Sequence, residues 1–166
     1  MTKETKKLAD LFLDTLKDVY FAEKKILTTL PKMAKAANSP ELKKAFEKHR
    51  LETEGQVGRL EQIFELIGSK PQTKTCEAIM GIVKEGEEII QDYADSPALD
   101  AALVAVAQAV EHYEMSRYGT LRTWADELGI KGAATLLHVT LQQEKQTDAA
   151  LSELALAVLN RQAEAA

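Results

Sequence analysis

One cysteine, Cys76, in 166 residues cannot close an internal disulfide, and no CxxC pair exists to build a zinc ribbon or a dithiol redox site. Within a stretch of helical spacing, a lone cysteine is expected to act as a small apolar side chain. Long apolar runs are also missing. No run reaches about 18 residues, and no basic start leads into an apolar stretch, so neither a membrane span nor a secretion signal is expected and the cytoplasm is the natural location. Positive charge is in deficit: 21 Lys and Arg against 26 Asp and Glu leave a net charge of -5, with a pI near 5.3. Both signs are scattered along the chain, which argues against nucleic acid as a partner. No segment alternates polar and apolar residues with period two, so no sheet is expected.

What remains is helical periodicity in a chain sized for one domain over residues 1–166. The first helix is read from Lys6 to Ala37, with Leu8, Phe12, Leu16, Val19, Glu23, Ile26 and Leu30 on one face. Pro31 should kink or split it. In "NSPE", Ser39 caps a second helix and Pro40 takes its first position; Gly68 stops it after Ile67. Its inner face carries Leu42, Phe46, His49, Glu52 or Thr53, Gln56, Leu60 and Ile63. Residues 69–97 connect, and "CEAIMGIVKEGEEIIQDY" within them spaces Ile79, Val83, Glu87 and Ile90 as a short crossover helix. "DSPALDAAL" opens a third long helix to Leu128, capped by Asp95 or Ser96 with Pro97 in the first turn. "GIKG" is the following turn, and a fourth helix spans Ala133 to Asn160. The fold class is all-α: two antiparallel helix hairpins joined by a crossover.

Sliding the chain by 91 residues lays Leu8 on Leu99, Val19 on Val110, Glu23 on Glu114, Leu30 on Leu121 and Leu60 on Leu151, and the two hairpin turns also coincide. Glu23 and Glu114 then sit roughly 15 and 16 residues before their turns, and with a rise of about 1.5 Å per residue they face the neighbourhoods of residues 54 and 146. Glu52 and Gln56 are at hand on the second helix, Glu144 and Asp148 on the fourth. One interior layer thus collects Glu23, Glu52, Glu114 and Glu144, with Gln56, Asp148 and Glu111 beside them; the spacing admits Glu111, Glu114 or both as inward residues.

Several carboxylates in one apolar layer must share protons, meet buried bases or bind cations. Oxygen-rich ligands suit two iron or two manganese ions better than zinc. The structural alternatives are cap partners, ion-pair networks, or a helix rotation of roughly 40° that turns a glutamate to solvent. His49, one turn before Glu52, reads as a ligand, as a donor supporting the ligands, or as a hydrogen-bonded core histidine. His112 points away from Glu114, and His138 is nearly two turns from Glu144. Tyr20, Tyr113 and Tyr118 surround the layer, either donating to carboxylates or filling core. Trp124 is expected to pack in the bundle or at a dimer surface.

"LFLDTLKDVYFAEKKILTTLPKMAKAA", "LETEGQVGRLEQIFELIG", "AVEHYEMSRYGTLRTWADELG" and "LQQEKQTDAALSELA" resemble the ferritin-like family of bacterial stress proteins named for YciE and YciF. The resemblance covers essentially the whole chain. It implies a ferritin-like four-helix bundle with a crossover helix, a homodimer, and a di-iron or di-manganese centre like those of rubrerythrins and manganese catalases. Glu23 in "YFAEKK", Glu52 and Gln56 in "ETEGQ", Glu111 and Glu114 in "EHYE", and Glu144 and Asp148 in "EKQTD" match its recurring polar positions. The Glu-x-x-His pair of the wider ferritin-like pattern is absent, because Glu52 is followed by Gly55 and Glu144 by Thr147. Fewer imidazoles make a harder site that favours manganese or weak iron binding. Two functions follow: an oxidoreductase acting on Fe(II) or hydrogen peroxide, or a non-enzymatic dimeric stress protein whose carboxylate layer is vestigial. Mineral storage is a poorer fit, since nothing in the sequence argues for a closed shell.

Overall fold

The computed structural model describes residues 5–165, and no strand occurs among them. Helix α1 (Leu8–Ala36) runs through Pro31 without a break. Ser39 caps α2 (Pro40–Leu66), its hydroxyl accepting from the Leu42 N–H at 3.3 Å. Gly68 (φ +69°) ends that helix in the left-handed region that only glycine enters without a steric penalty. The crossover helix α3 spans Glu77–Asp92. Cys76 stands just outside it rather than within it, its buried Sγ accepting from the Ile79 N–H at 3.4 Å.

Two boundaries depart from the sequence reading. Helix α4 is Leu99–Glu127, so neither Asp95 nor Ser96 is its cap. Ser96 instead organises the preceding turn, its Oγ accepting from the Ala98 N–H and its carbonyl from the Leu99 N–H. Helix α5 is Lys131–Leu154, so the second half of "GIKG" is already helical; the reversal is confined to Leu128, Gly129 (φ +73°) and Ile130. Beyond Leu154 the helix widens into a π turn over Ala155–Leu159 before α6 (Asn160–Glu164).

α1 pairs with α2 and α4 with α5; α2 lies against α5, α1 against α4, and α3 packs on both α1 and α4. The apolar faces form two separate clusters. One gathers Ile26, Leu30, Phe46, Val83 and Leu103; the other gathers Phe12, Leu16, Phe64, Leu121 and Leu137. Each such side chain stabilises the fold by about 1.5–3 kcal/mol through burial. Along α2, α4 and α5 the change from one cluster to the other falls at polar residues: His49 to Gln56 on α2, Glu111 and Glu114 on α4, Glu144 and Thr147 on α5; on α1 it falls between Tyr20 and Ala22, beside Glu23. A polar slab therefore divides the interior.

The hairpins are tied together by Asp100, which is buried in the first turn of α4. Its two carboxylate oxygens accept from the Asn38 and Ser39 N–H groups, both at 2.7 Å. Asp100→Ala leaves two backbone donors of the α1–α2 turn without an acceptor. The expected loss is about 2 kcal/mol, measured as a lower denaturant midpoint at unchanged slope; an unchanged midpoint would show that water replaces the carboxylate freely.

Candidate metal centre

Residues four apart on α2 bring His49 and Thr53 to one face, and residues three apart on α4 do the same for Glu111 and Glu114. Glu144 of α5 completes a group with His49, Glu111 and Glu114. All four are buried, and one ligand atom from each lies within 4.8 Å of those from the others. His49 Nδ1 is 3.1 Å from Glu111 Oε1, and its Nε2 is 3.9 Å from both Glu114 Oε2 and Glu144 Oε2. None of these approaches is aligned as a hydrogen bond. Among the described residues, both oxygens of Glu111, Glu114 and Glu144, with His49 Nε2, Gln56 Oε1 and Glu23 Oε2, have no hydrogen-bond partner. Orphaned polar atoms this dense are expensive unless something else occupies their lone pairs.

Glu23 of α1 is fully buried and accepts a hydrogen bond from the Tyr118 hydroxyl. Gln56, also fully buried, reaches Gln143 at 3.5 Å. Arg59 donates to Thr140 Oγ1 at 2.9 Å and to Gln143 Oε1, and its charge favours ionisation of both Glu23 and Glu144.

The carboxyls are shifted strongly upward. Burial, then the charge of Glu144, raises Glu111 to about 11 and Glu23 to about 8, the latter restrained by the Tyr118 hydroxyl. Burial and the neighbouring carboxylates push Glu114 well above its ordinary range, and burial takes Glu144 to about 7. Burial, then Lys48, lowers His49 to about 4. At neutral pH the metal-free cluster therefore stores protons on glutamates around a neutral imidazole. That is the state from which a cation can displace protons and gain anionic ligands.

Of the residues singled out in the sequence, the structure brings together Glu111, Glu114, Glu144 and His49, with Glu23 and Gln56 adjoining. Both Glu111 and Glu114 point inward. Glu52 does not join them: its side chain is 21% exposed, pairs with Lys48 at 3.5 Å and accepts from Thr147 at 3.3 Å. Asp148 also stays at the rim, 22% exposed, beside His112 at 3.3 Å and Gln108 at 3.1 Å. Tyr20 and Tyr113 donate to Glu61 and Asp18, outside the cluster. The Arg59, Thr140 and Gln143 group was not anticipated; its signal was an arginine one turn past Gln56 on a face already read as inward. Half-buried Trp124 packs on the Phe12 cluster.

Residues 7–164 match the family described as a domain of unknown function, DUF892. The chain belongs to this family. Protein YciF of Escherichia coli is 42% identical over 160 residues, covering 96% of each chain. The crystal structure of the E. coli stress protein YciF superposes with a TM-score of 0.89 at 41% identity, covering 94% of this chain and 99% of that one. YcfI from Rhodopseudomonas palustris, described as a candidate structural protein, gives 0.87 at 42% identity, covering 92% and 97%. A DUF892 relationship therefore spans nearly the entire length, and the all-helical architecture agrees with it. No helix among the described residues is long and apolar enough to cross a membrane.

Proposed function

We propose that the chain is a single ferritin-like domain over residues 1–166, a four-helix bundle acting as a cytoplasmic homodimer in bacterial stress, that holds two iron or two manganese ions. The observation that carries this reading is the set of unpartnered, fully buried donor atoms of His49, Glu111, Glu114 and Glu144 in reach of one another. Their chemistry, three carboxylates and one imidazole, suits Fe(II) or Mn(II). Glu23 beside Glu114, and Gln56 beside Glu144, extend the donor set toward a second ion. Glu52 and Asp148, assigned by the sequence reading to the ligand layer, fit better as rim carboxylates. A bound pair of such ions supplies electron transfer to oxygen or peroxide, which would make the protein an oxidoreductase acting on Fe(II) or hydrogen peroxide.

The chain's own residues have definable tasks in that reading. Tyr118 holds Glu23 in one orientation through its hydroxyl. Arg59, anchored on Thr140 and Gln143, supplies positive charge that favours the ionised forms of Glu23 and Glu144. The two apolar clusters above and below the slab exclude water. Metal content per chain, measured after growth with added iron or manganese, tests the proposal: about two ions per chain are expected. A second reading, a non-enzymatic dimeric scaffold with a vestigial, protonated cluster, is supported by the description of the R. palustris relative; no metal under any growth condition would favour it.

A further inference from the structure

Two small cavities adjoin between α1, α3 and α4. The inner one, of about 10 Å³, is bounded by Ile26, Leu30, Ala107 and the His49 ring; the outer, of about 20 Å³, is bounded by Gly86, Val106 and the aliphatic parts of Lys32 and Glu87. Thr29, Met33, Val83 and Val110 line both, so the two spaces share a wall. The free wall of each is entirely apolar. Thr29, the one hydroxyl shared by the lining, is turned to its own helix, donating to the Lys25 carbonyl at 2.8 Å. At the outer end, the Lys32–Glu87 ion pair (3.1 Å) bridges α1 and α3 with both side chains substantially exposed, 61% and 44%. At the inner end stands His49 of the buried cluster.

We propose that these cavities form a dioxygen path from the α1–α3 surface to the His49 side of the cluster, so that dioxygen is an oxidant this face delivers and hydrogen peroxide is not. The inference rests on the metal-centre reading for its purpose but not for its geometry. Each space has room for about one water-sized molecule, yet a water there would have no polar partner, and apolar cavities of this kind stay dry. A metal cation would shed its coordinated water, and hydrogen peroxide its hydrogen bonds with water, and neither would find a replacement. A small apolar diatomic loses nothing by entering. Val83 is the controlling residue because it lines both cavities and is itself buried.

The test uses the metal-free chain under dioxygen pressure, reading paramagnetic broadening of methyl resonances. Broadening is expected at Val83, Val110 and Ile26 and not at Leu137 or Ile63, which are equally buried in or beside the other cluster. Val83→Phe should remove it; Val83→Met, a flexible filler, serves the same purpose should the phenylalanine prevent folding. Equal broadening of all buried methyls, or none at Val83 and Val110, would overturn the path. With Fe(II) bound, the same substitution should slow oxidation by dioxygen and leave oxidation by hydrogen peroxide unchanged, and equal slowing by both would also overturn it. Selective broadening in a chain that takes up no metal would retain the cavity and reject the metal centre, whereas metal uptake without broadening would do the reverse.

Discussion

Raising the pH from about 5 to 8 lowers the melting temperature of the metal-free protein, and Mn(II) or Fe(II) reverses the loss. In the unfolded chain the glutamates release their protons near pH 4.5; in the folded chain Glu23 holds its proton to about 8 and Glu111 to about 11. Between those limits the folded state binds more protons than the unfolded, so stability falls as pH rises, by about 1.4 kcal/mol per pH unit for each excess proton. His49 works in the opposite sense between about 4 and 6.5, because its folded form is held neutral while the unfolded imidazole charges. It offsets about one carboxyl in that range and nothing above it, which places the steepest decline above pH 6.5. A divalent ion takes the place of the protons. Its affinity, and the gain in melting temperature it gives, should therefore increase over the same interval. Thermal unfolding from pH 5 to 8.5 with and without Mn(II) measures both trends, and a metal-free profile flat above pH 6.5 would contradict the stored protons.

Replacing Glu114 by methionine should make the metal-free protein more stable while abolishing its response to metal. Glu114 is fully buried, and its carboxyl meets only other buried carboxyls, sharing a proton with Glu23 at best, so its removal relieves a polar and repulsive cost of about 1–3 kcal/mol. Methionine has similar length, no lone pairs that demand water, and the flexibility to fill the slab between the two apolar clusters. A carboxyl kept for structure would give the opposite result, a lower denaturant midpoint with the metal response intact. Denaturation of both proteins with and without Mn(II) separates the two outcomes. The combination of gained stability and lost binding is the signature expected of a site that trades folding energy for function.

Much of this arrangement is visible in the residue pattern because the helices are long and their apolar spacing is regular. Leu8 to Ala36, Pro40 to Leu66 and the crossover helix fall close to the reading from Ser39, Pro40, Gly68 and the spacing of Ile79 and Val83. Counting from the turns places Glu23, Glu114 and Glu144 at one level; Glu114 and Glu144 share one buried group, and Glu23 adjoins it. The second helix is where the reading slipped. One residue of error is a rotation of about 100°, enough to exchange buried Thr53 for partly exposed Glu52. The 91-residue correspondence already contained the correction: it lays Thr53 on Glu144 and His49 on Thr140, whereas Glu52 falls on Gln143. Each hairpin's second helix thus presents one ligand and one threonine, four residues apart, in opposite order. The spacing admits Glu52 or Thr53 at the inner position, and taking the carboxylate into the ligand layer chose the wrong one of the two. The start of α4 was misplaced because Asp95, Ser96 and Pro97 are good capping residues used here to shape a turn. Nothing in the local sequence distinguishes the two uses.

The π turn at Ala155–Leu159 lies after every residue of the cluster, and Ala155 and Leu159 both remain buried around it. A widened turn accommodates one extra residue without shifting what precedes it. Near its carboxy-terminal end the chain can thus gain or lose a residue, passing between widened and regular helix, while Glu144 and its neighbours keep their register. The same change placed one or two turns earlier, between Glu144 and Leu151, would swing the anchoring leucine off its apolar bed, so tolerance to changes in length should switch on abruptly at the end of α5.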